Sequence, residues 1–213
     1  MSNIDWLSRA REHPQKGFLA IIGGIGLGDK LPVIGALLDK AGTILVGGQV
    51  AYTFLVAGGV DVGHSKVEAD FLPRCRELIK KAAEKNVRLL LPIDHIAAVK
   101  VEPEVTIKMI KEGESIPDNM MGLDIGFETI KLFAGEAVKA GLILWYGPLG
   151  VWEIDTFSAG TSELLKTIAQ SDVPAVITGE KLLLAAQKAG LADRFSYTER
   201  QSRVVLETIL GKK

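Results

Sequence analysis

Four glycines within six residues, Gly23, Gly24, Gly26 and Gly28, break an apolar run in the stretch Phe18 to Lys30, FLAIIGGIGLGDK. A buried strand that runs into a loop is what such a pattern predicts. The helical periodicity that follows puts Val33, Ile34, Leu37 and Leu38 on one face, with Pro32 expected near the first turn, where its missing N–H has no partner to lose. Glycines between a parallel strand and a helix N-terminus let a ligand reach bare backbone N–H groups at the positive end of the helix dipole, which points to an anion or nucleotide site near Lys30. A tight turn without a ligand is the alternative. The familiar phosphate-binding patterns do not fit. A P-loop needs Lys then Ser or Thr after its second glycine, whereas Gly28 is followed by Asp29, Lys30 and Leu31. The dinucleotide fingerprint needs GxGxxG and an acid closing the second strand, which here ends TILVGGQ, so NAD is not expected.

The same unit recurs along the chain. Thr43 to Val46 reads as a second buried strand ending at Gly47-Gly48, with a short helix over Val50 to Ala57. A long helix is expected over Glu68 to Lys85, with Leu78, Ile79, Ala82 and Ala83 inward, then a third strand over Arg88 to Pro92. From Asp94 to Asp118 the pattern changes to short β-prone pieces, His95 to Val101 and Thr106 to Ile110, which suggests a small antiparallel excursion. MGLDIG, Met121 to Gly126, reads as a turn before a helix over Glu128 to Lys139. Leu142 to Trp145 and Ala175 to Thr178 are further strands, and helices are expected over Ser162 to Gln170, Lys181 to Ala189 and Gln201 to Leu210. Strands alternating with helices give a three-layer αβα, Rossmann-like, mostly parallel sheet. Four strand ends then carry Gly23-Gly24, Gly47-Gly48, Gly147-Pro148 and Gly179, and these loops should share one edge.

Composition narrows the functional classes. With 213 residues, 47% hydrophobic, the chain has material for one core, and a formal net charge of -1 gives no electrostatic reason to expect nucleic acid or an anionic membrane as partner. Cys75 is the single cysteine, so no intrachain disulfide forms, and a small helix-packing role is expected for it. Charges or glycines interrupt every apolar run before about 18 residues, which predicts a soluble, cytoplasmic protein. His13, His64 and His95 have no metal-ligand spacing, and Asp94 and His95, adjacent on a strand, should point to opposite faces rather than form an acid/base pair.

Taken together, FLAIIGG, DKLPVIGALLDKAGTILVGG, AYTFL, LLLPID, IPDNMMGLDIG, GPLGVWE and KAGLADRFS resemble, in order and spacing, the C-terminal nucleotide-binding domain of the phosphoglycerate kinase family. Even NIDWLSRAREHP looks like the helix joining the two domains of that enzyme. The resemblance implies a hinge-type helix over residues 1–16 and a single domain over 17–213, without the N-terminal domain that binds 3-phosphoglycerate. It also implies an adenine nucleotide as ligand. By this likeness Gly47, Gly48, Leu123, Pro148 and Val151 match the apolar slot for the adenine ring, Glu153 matches the acid that bonds the ribose hydroxyls, and Gly24 and Lys30 belong to the phosphate loop.

The departures from the family pattern gather at the phosphate end. Gly26 stands where the family has the lysine that stabilises the transferred phosphoryl group. Lys181 stands where a carboxylate holds the Mg-nucleotide, Gln201, Ser202 and Arg203 replace a three-glycine loop, and Tyr146 replaces an asparagine. Gln49 replaces a glycine beside the adenine and is expected to crowd its slot. Phosphoryl transfer depends on positioned charge and backbone donors, one cationic group being worth about 10³–10⁵ in rate, so losing several should abolish it. Mg²⁺ is not expected, since Lys181 would repel it by about 4 kcal/mol per unit-charge product at ~4 Å and an effective dielectric near 20. Lys181 and Arg203 either grip an anion with Lys30 or pair with Glu180 and Glu199. Three readings follow: a nucleotide-binding or protein-interaction module without catalysis, which pairs with a protein or a second copy through its hinge side; the nucleotide half of a phosphoglycerate kinase completed by a separate N-terminal domain; or another enzyme on the same edge.

Overall fold

The computed structural model describes residues 17–210. The expected hinge-type helix over residues 1–16 lies outside the described residues. Apolar runs become strands buried on both faces, as a parallel sheet between two helical layers requires. The first, β1 (Phe18–Ile22), is buried along its whole length. It is followed by α1 (Leu27–Leu37), β2 (Thr43–Val46), α2 (Gly48–Ala57), α3 (Leu72–Glu84) and β3 (Arg88–Leu90). Then come β4 (His95–Ala98), β5 (Ile107–Ile110), β6 (Met121–Ile125) and α4 (Phe127–Ala137). The chain continues with β7 (Leu142–Tyr146), α5 (Ala159–Gln170), β8 (Ala175–Thr178), α6 (Glu180–Lys188), β9 (Tyr197–Glu199) and α7 (Ser202–Leu210).

Six strands form one sheet in the order β3-β2-β1-β7-β8-β9, every pairing in it parallel. Alternate residues of β1 feed two separate cores. Phe18, Ala20 and Ile22 pack with α1, α2 and α3, whereas Leu19 and Ile21 pack with α4, α5 and α6 around the fully buried Trp145. That is the three-layer αβα arrangement. A second sheet, β5-β4-β6, is antiparallel and rests on the outer face of α2 through Tyr52 and Leu55.

Several local expectations change. Met121–Ile125 is not a turn but the strand β6, because the glycine inside it lies flat under the Tyr52 ring, where a Cβ would overlap the phenol. Tyr197–Glu199 is an unexpected edge strand. The first helix starts at Leu27, so Pro32 sits inside it rather than in its first turn. On α3, Cys75, Leu78 and Ala82 face inward, Ile79 is half-buried and Ala83 is exposed.

Two buried carboxylates lock elements together. Asp94 accepts from the backbone N–H groups of Glu128 (2.9 Å) and Thr129 (2.8 Å), capping α4 from a residue 34 positions earlier. His95 turns the other way and lies against Tyr52, ring centroids 5.5 Å apart, so the two adjacent residues form no acid/base pair. Asp124, 1% exposed, accepts from Ile125 N–H (2.9 Å) and Gly160 N–H (2.8 Å), tying β6 to the start of α5. Burial pushes its carboxyl up to about 7, against those two hydrogen bonds.

Asp94→Ala strands the first-turn donors of α4 and should cost about 2 kcal/mol, lowering Tm by about 4–8 °C in scanning calorimetry, with Asp94→Asn losing less because one acceptor remains. Asp124 supplies a pH test. Its folded pKa lies above the unfolded value, so its contribution is fully present at low pH and is lost as pH rises through about 7. Between about pH 5.5 and about pH 8.5 the wild type should lose about 2 kcal/mol more stability in urea titrations than Asp124→Asn does. Equal losses would remove Asp124 as the titrating group.

Candidate functional site

The four glycine-bearing strand ends do share one edge, and backbone hydrogen bonds bind three of them, whereas Gly179 N–H donates to Glu199 O (3.1 Å). Gly23 N–H donates to Tyr146 O (2.8 Å), Gly24 N–H to Pro148 O (2.6 Å), Gly47 N–H to Ile22 O (2.9 Å) and Gly48 N–H to Leu149 O (3.0 Å). Side chains fix the loop after β7 from below: Trp145 Nε1 donates to Gly147 O (2.8 Å), and Leu149 N–H donates to Thr161 Oγ1 (2.9 Å). Gly48 has φ +61° and a Cβ there would lie 2.5 Å from Gly24 N, so loop packing alone requires this glycine. Gly47 faces the Leu149 side chain and does not line the cleft above.

That cleft has a volume of about 270 Å³. Gly48, Leu123, Pro148, Val151 and Glu153 of the expected nucleoside slot line it, as does Gly24 of the expected phosphate loop. Gln49, expected to crowd the slot, stands in its wall. Lys66 and Tyr52 line it too, unforeseen because residue order gives no sign that they reach this edge. Across the mouth Lys181 Nζ lies 2.7 Å from Glu153 Oε1, both side chains about half exposed. Lys181 thus pairs with the residue matched to the ribose-binding acid, not with Glu180, which lies 3.9 Å from Arg200 instead.

A second recess of about 190 Å³ adjoins the first, and Gly24, Ile25, Pro148 and Lys181 line both. Lys30, Tyr146, Arg200, Ser202 and the first turn of α6 complete its walls. First-turn N–H groups of a helix have no intrahelical acceptor, so Glu180, Lys181 and Leu182 offer donors there. Lys30 is 5% exposed; its ammonium donates to Ile25 O (2.7 Å) and lies 4.6 Å from the Tyr146 ring centre. Desolvation lowers its pKa, opposed by Asp29 and Glu68. Arg200 belongs to this recess although the sequence pattern did not single it out.

Other expected participants stand elsewhere. Arg203 donates to Glu207 (2.6 Å) along its own helix and, like Gly26 and Gln201, lines neither space, so the convergence of Lys30, Lys181 and Arg203 does not occur. Nor is the start of α1 open to an anion, because Glu68 Oε1 already accepts from Leu27 N–H at 3.0 Å. A carboxylate of the chain itself occupies the place foreseen for a ligand. The residues present do not fit Mg²⁺ either: Glu153, the one carboxylate among the described residues that line the cleft, is paired to the Lys181 ammonium. No helix among those residues is long and apolar enough to cross a membrane.

Comparison with known proteins gives one answer. The family model described as phosphoglycerate kinase matches residues 1–212. The phosphoglycerate kinase of Koribacter versatilis is 39% identical over 211 residues, covering 99% of this chain and 52% of that protein. That of Clostridium botulinum strain Alaska E43 is 41% identical over 210 residues, covering 98% and 52%. Among solved structures, phosphoglycerate kinase from Coxiella burnetii superposes with a TM-score of 0.93 at 37% identity, covering 98% of this chain and 54% of that one. The enzyme from Pyrococcus horikoshii superposes with a TM-score of 0.84 at 25% identity. This chain spans about half the length of the curated relatives it matches. Its parallel sheet, its four glycine loops on one edge and these matches across nearly every residue place the chain in the phosphoglycerate kinase family, as the C-terminal half of that architecture.

Proposed function

We propose that this domain binds an adenine nucleotide as its metal-free anion, nucleoside in the cleft and phosphates in the adjoining recess, and that it has lost phosphoryl transfer. The observation that carries this reading is the Lys181 ammonium at the cleft mouth, 2.7 Å from Glu153. A cation fixed there opposes a divalent metal and favours an uncomplexed phosphate. The two spaces share four wall residues, so a single elongated ligand can occupy both. The cleft volume lies just below the ~300–1,000 Å³ usual for small-molecule sites, which suits a nucleoside. Lys30, Arg200 and the first turn of α6 supply donors for the phosphates. Loss of transfer rests on the positions matched to the family's phosphoryl-stabilising groups: Gly26 has no side chain to offer, and Arg203 is engaged with Glu207. Gly26 also has φ +78°, a conformation in which a lysine would be strained.

A second reading is favoured by the family match across residues 1–212 and by identities near 40%. It makes the chain the nucleotide-binding half of a phosphoglycerate kinase acting on ATP and 3-phosphoglycerate in glycolysis, completed by an N-terminal domain. The test for catalysis is turnover. The purified chain mixed with an isolated N-terminal phosphoglycerate kinase domain should transfer no phosphoryl group, and measurable turnover would establish the second reading.

Metal dependence tests the binding claim separately. Calorimetric titration of AMP, ADP and ATP, each with and without Mg²⁺, should show free ATP binding more tightly than Mg-ATP. Lys181→Asp should reverse the preference by roughly tenfold, equivalent to about 1.4 kcal/mol. Tighter binding of Mg-ATP to the wild type, or an unchanged metal dependence in the variant, would contradict the role given to Lys181.

A further inference from the structure

A second cavity lies away from the glycine edge, where β3, the outermost strand of the parallel sheet, meets the small antiparallel sheet. It measures about 690 Å³, well within the range that small ligands occupy. Its floor is apolar: Leu55 of α2, Leu89 and Leu91 around β3, Ile93, and Leu132 of α4. None of these belongs to the nucleotide cleft.

Two independent features show what this space suits. The first is His95, which lines the cavity, is 6% exposed, and has no hydrogen-bond partner for Nδ1 among the described residues. That nitrogen is itself enclosed, so a ligand against this wall changes the surroundings of the ring without displacing a hydrogen bond from it. Burial lowers the imidazole pKa to about 4, with Asp94 opposing, so near neutral pH the ring is uncharged and does not repel a cation. The second is the charge of the rim. Asp61, Glu112 and Glu114 line it, all three exposed, and among the described residues no lysine or arginine does. Asp61 Oδ1 accepts from Gly63 N–H and Glu114 Oε2 from Lys111 N–H, which leaves each carboxylate one oxygen free of hydrogen bonds among the described residues.

We propose that this cavity is a binding site for a small hydrophobic amine, an aryl or alkyl ammonium ion whose apolar body covers the leucines and whose charge sits among the three carboxylates, next to His95. An apolar floor under an acidic rim selects this chemistry over the two obvious alternatives. A carboxylic acid of the same shape meets three like charges, and a neutral hydrocarbon leaves the charge of the rim without a partner.

The probes are 2-phenylethylamine and phenylacetate, nearly equal in shape and opposite in charge, titrated into the full chain by calorimetry and by NMR of the imidazole nitrogens. The expected result is saturable one-to-one binding of 2-phenylethylamine, phenylacetate at least tenfold weaker, and a shift of the His95 ring resonances on titration. The double variant Glu112→Lys and Glu114→Lys changes only exposed positions and should weaken amine binding at least tenfold. Leu132→Trp, which fills the floor, should abolish it, and the charge variant keeps the test valid if the tryptophan variant does not fold. Equal binding of the two probes, binding retained by the double variant, binding that leaves the His95 resonances unmoved, or no saturable binding to the wild type would each overturn the proposal.

Discussion

Everything at the glycine edge depends on how closely three loops approach one another. Gly24 N–H and Pro148 O are 2.6 Å apart, and the Gly48 backbone lies directly over Gly24, spacing that no side chain would tolerate. These contacts place the loops after β1, β2 and β7 in one layer and leave a cleft above them. The glycines are thus first a packing device. Their ligand-binding value is secondary, arising because backbones this close expose little but N–H and C=O groups beside an apolar wall.

Charge at the same edge is unevenly placed. Two of the helix N-termini at this edge, those of α1 and α6, differ in how they are filled. Glu68 takes the N–H of Leu27 at the start of α1, and Glu180, within α6, begins the other helix. The first is closed by a carboxylate of the chain itself. The second opens into the recess beside Lys30, Lys181 and Arg200. Gly26 contributes no side chain to the loop after β1, and Lys181 stands in the first turn of α6, after β8. Lys30 remains but is tied to Ile25 O and the Tyr146 ring, so it adds field from beneath the recess more than a free hand to grasp with.

Residues that act through their neighbours in sequence were readable, and those that act through distant partners were not. β2 and β8 fall where their apolar runs begin and end, and the four glycine loops share an edge because parallel sheets put strand ends there. β6 was hidden by Gly122, which looks like a turn residue until Tyr52 packs on it, and β9 is only three residues long. Local pattern could not show that Glu68 caps a helix 41 residues before it, nor that Lys181 reaches back 28 residues to Glu153. The cleft-lining glycines and apolar residues were legible through family resemblance. The pairing of the charges was not, because a salt bridge is decided by the direction of long side chains after the backbone is in place.

That pairing has a magnitude that bears on its role. Both partners of the Lys181–Glu153 bridge are about half exposed, and an exposed ion pair of this kind contributes only about 0–1 kcal/mol. It is too weak to hold the cleft shut. A nucleotide that bonds Glu153 through its sugar and Lys181 through a phosphate would exchange one weak contact for two charge-assisted ones, each commonly worth ~1.5–3 kcal/mol. The bridge therefore serves best as a preset. It holds both side chains at the mouth in reach of a ligand, and it limits the rotamer freedom that binding would otherwise have to remove. The low strength of the contact keeps Lys181 compatible with the nucleotide proposed for the cleft.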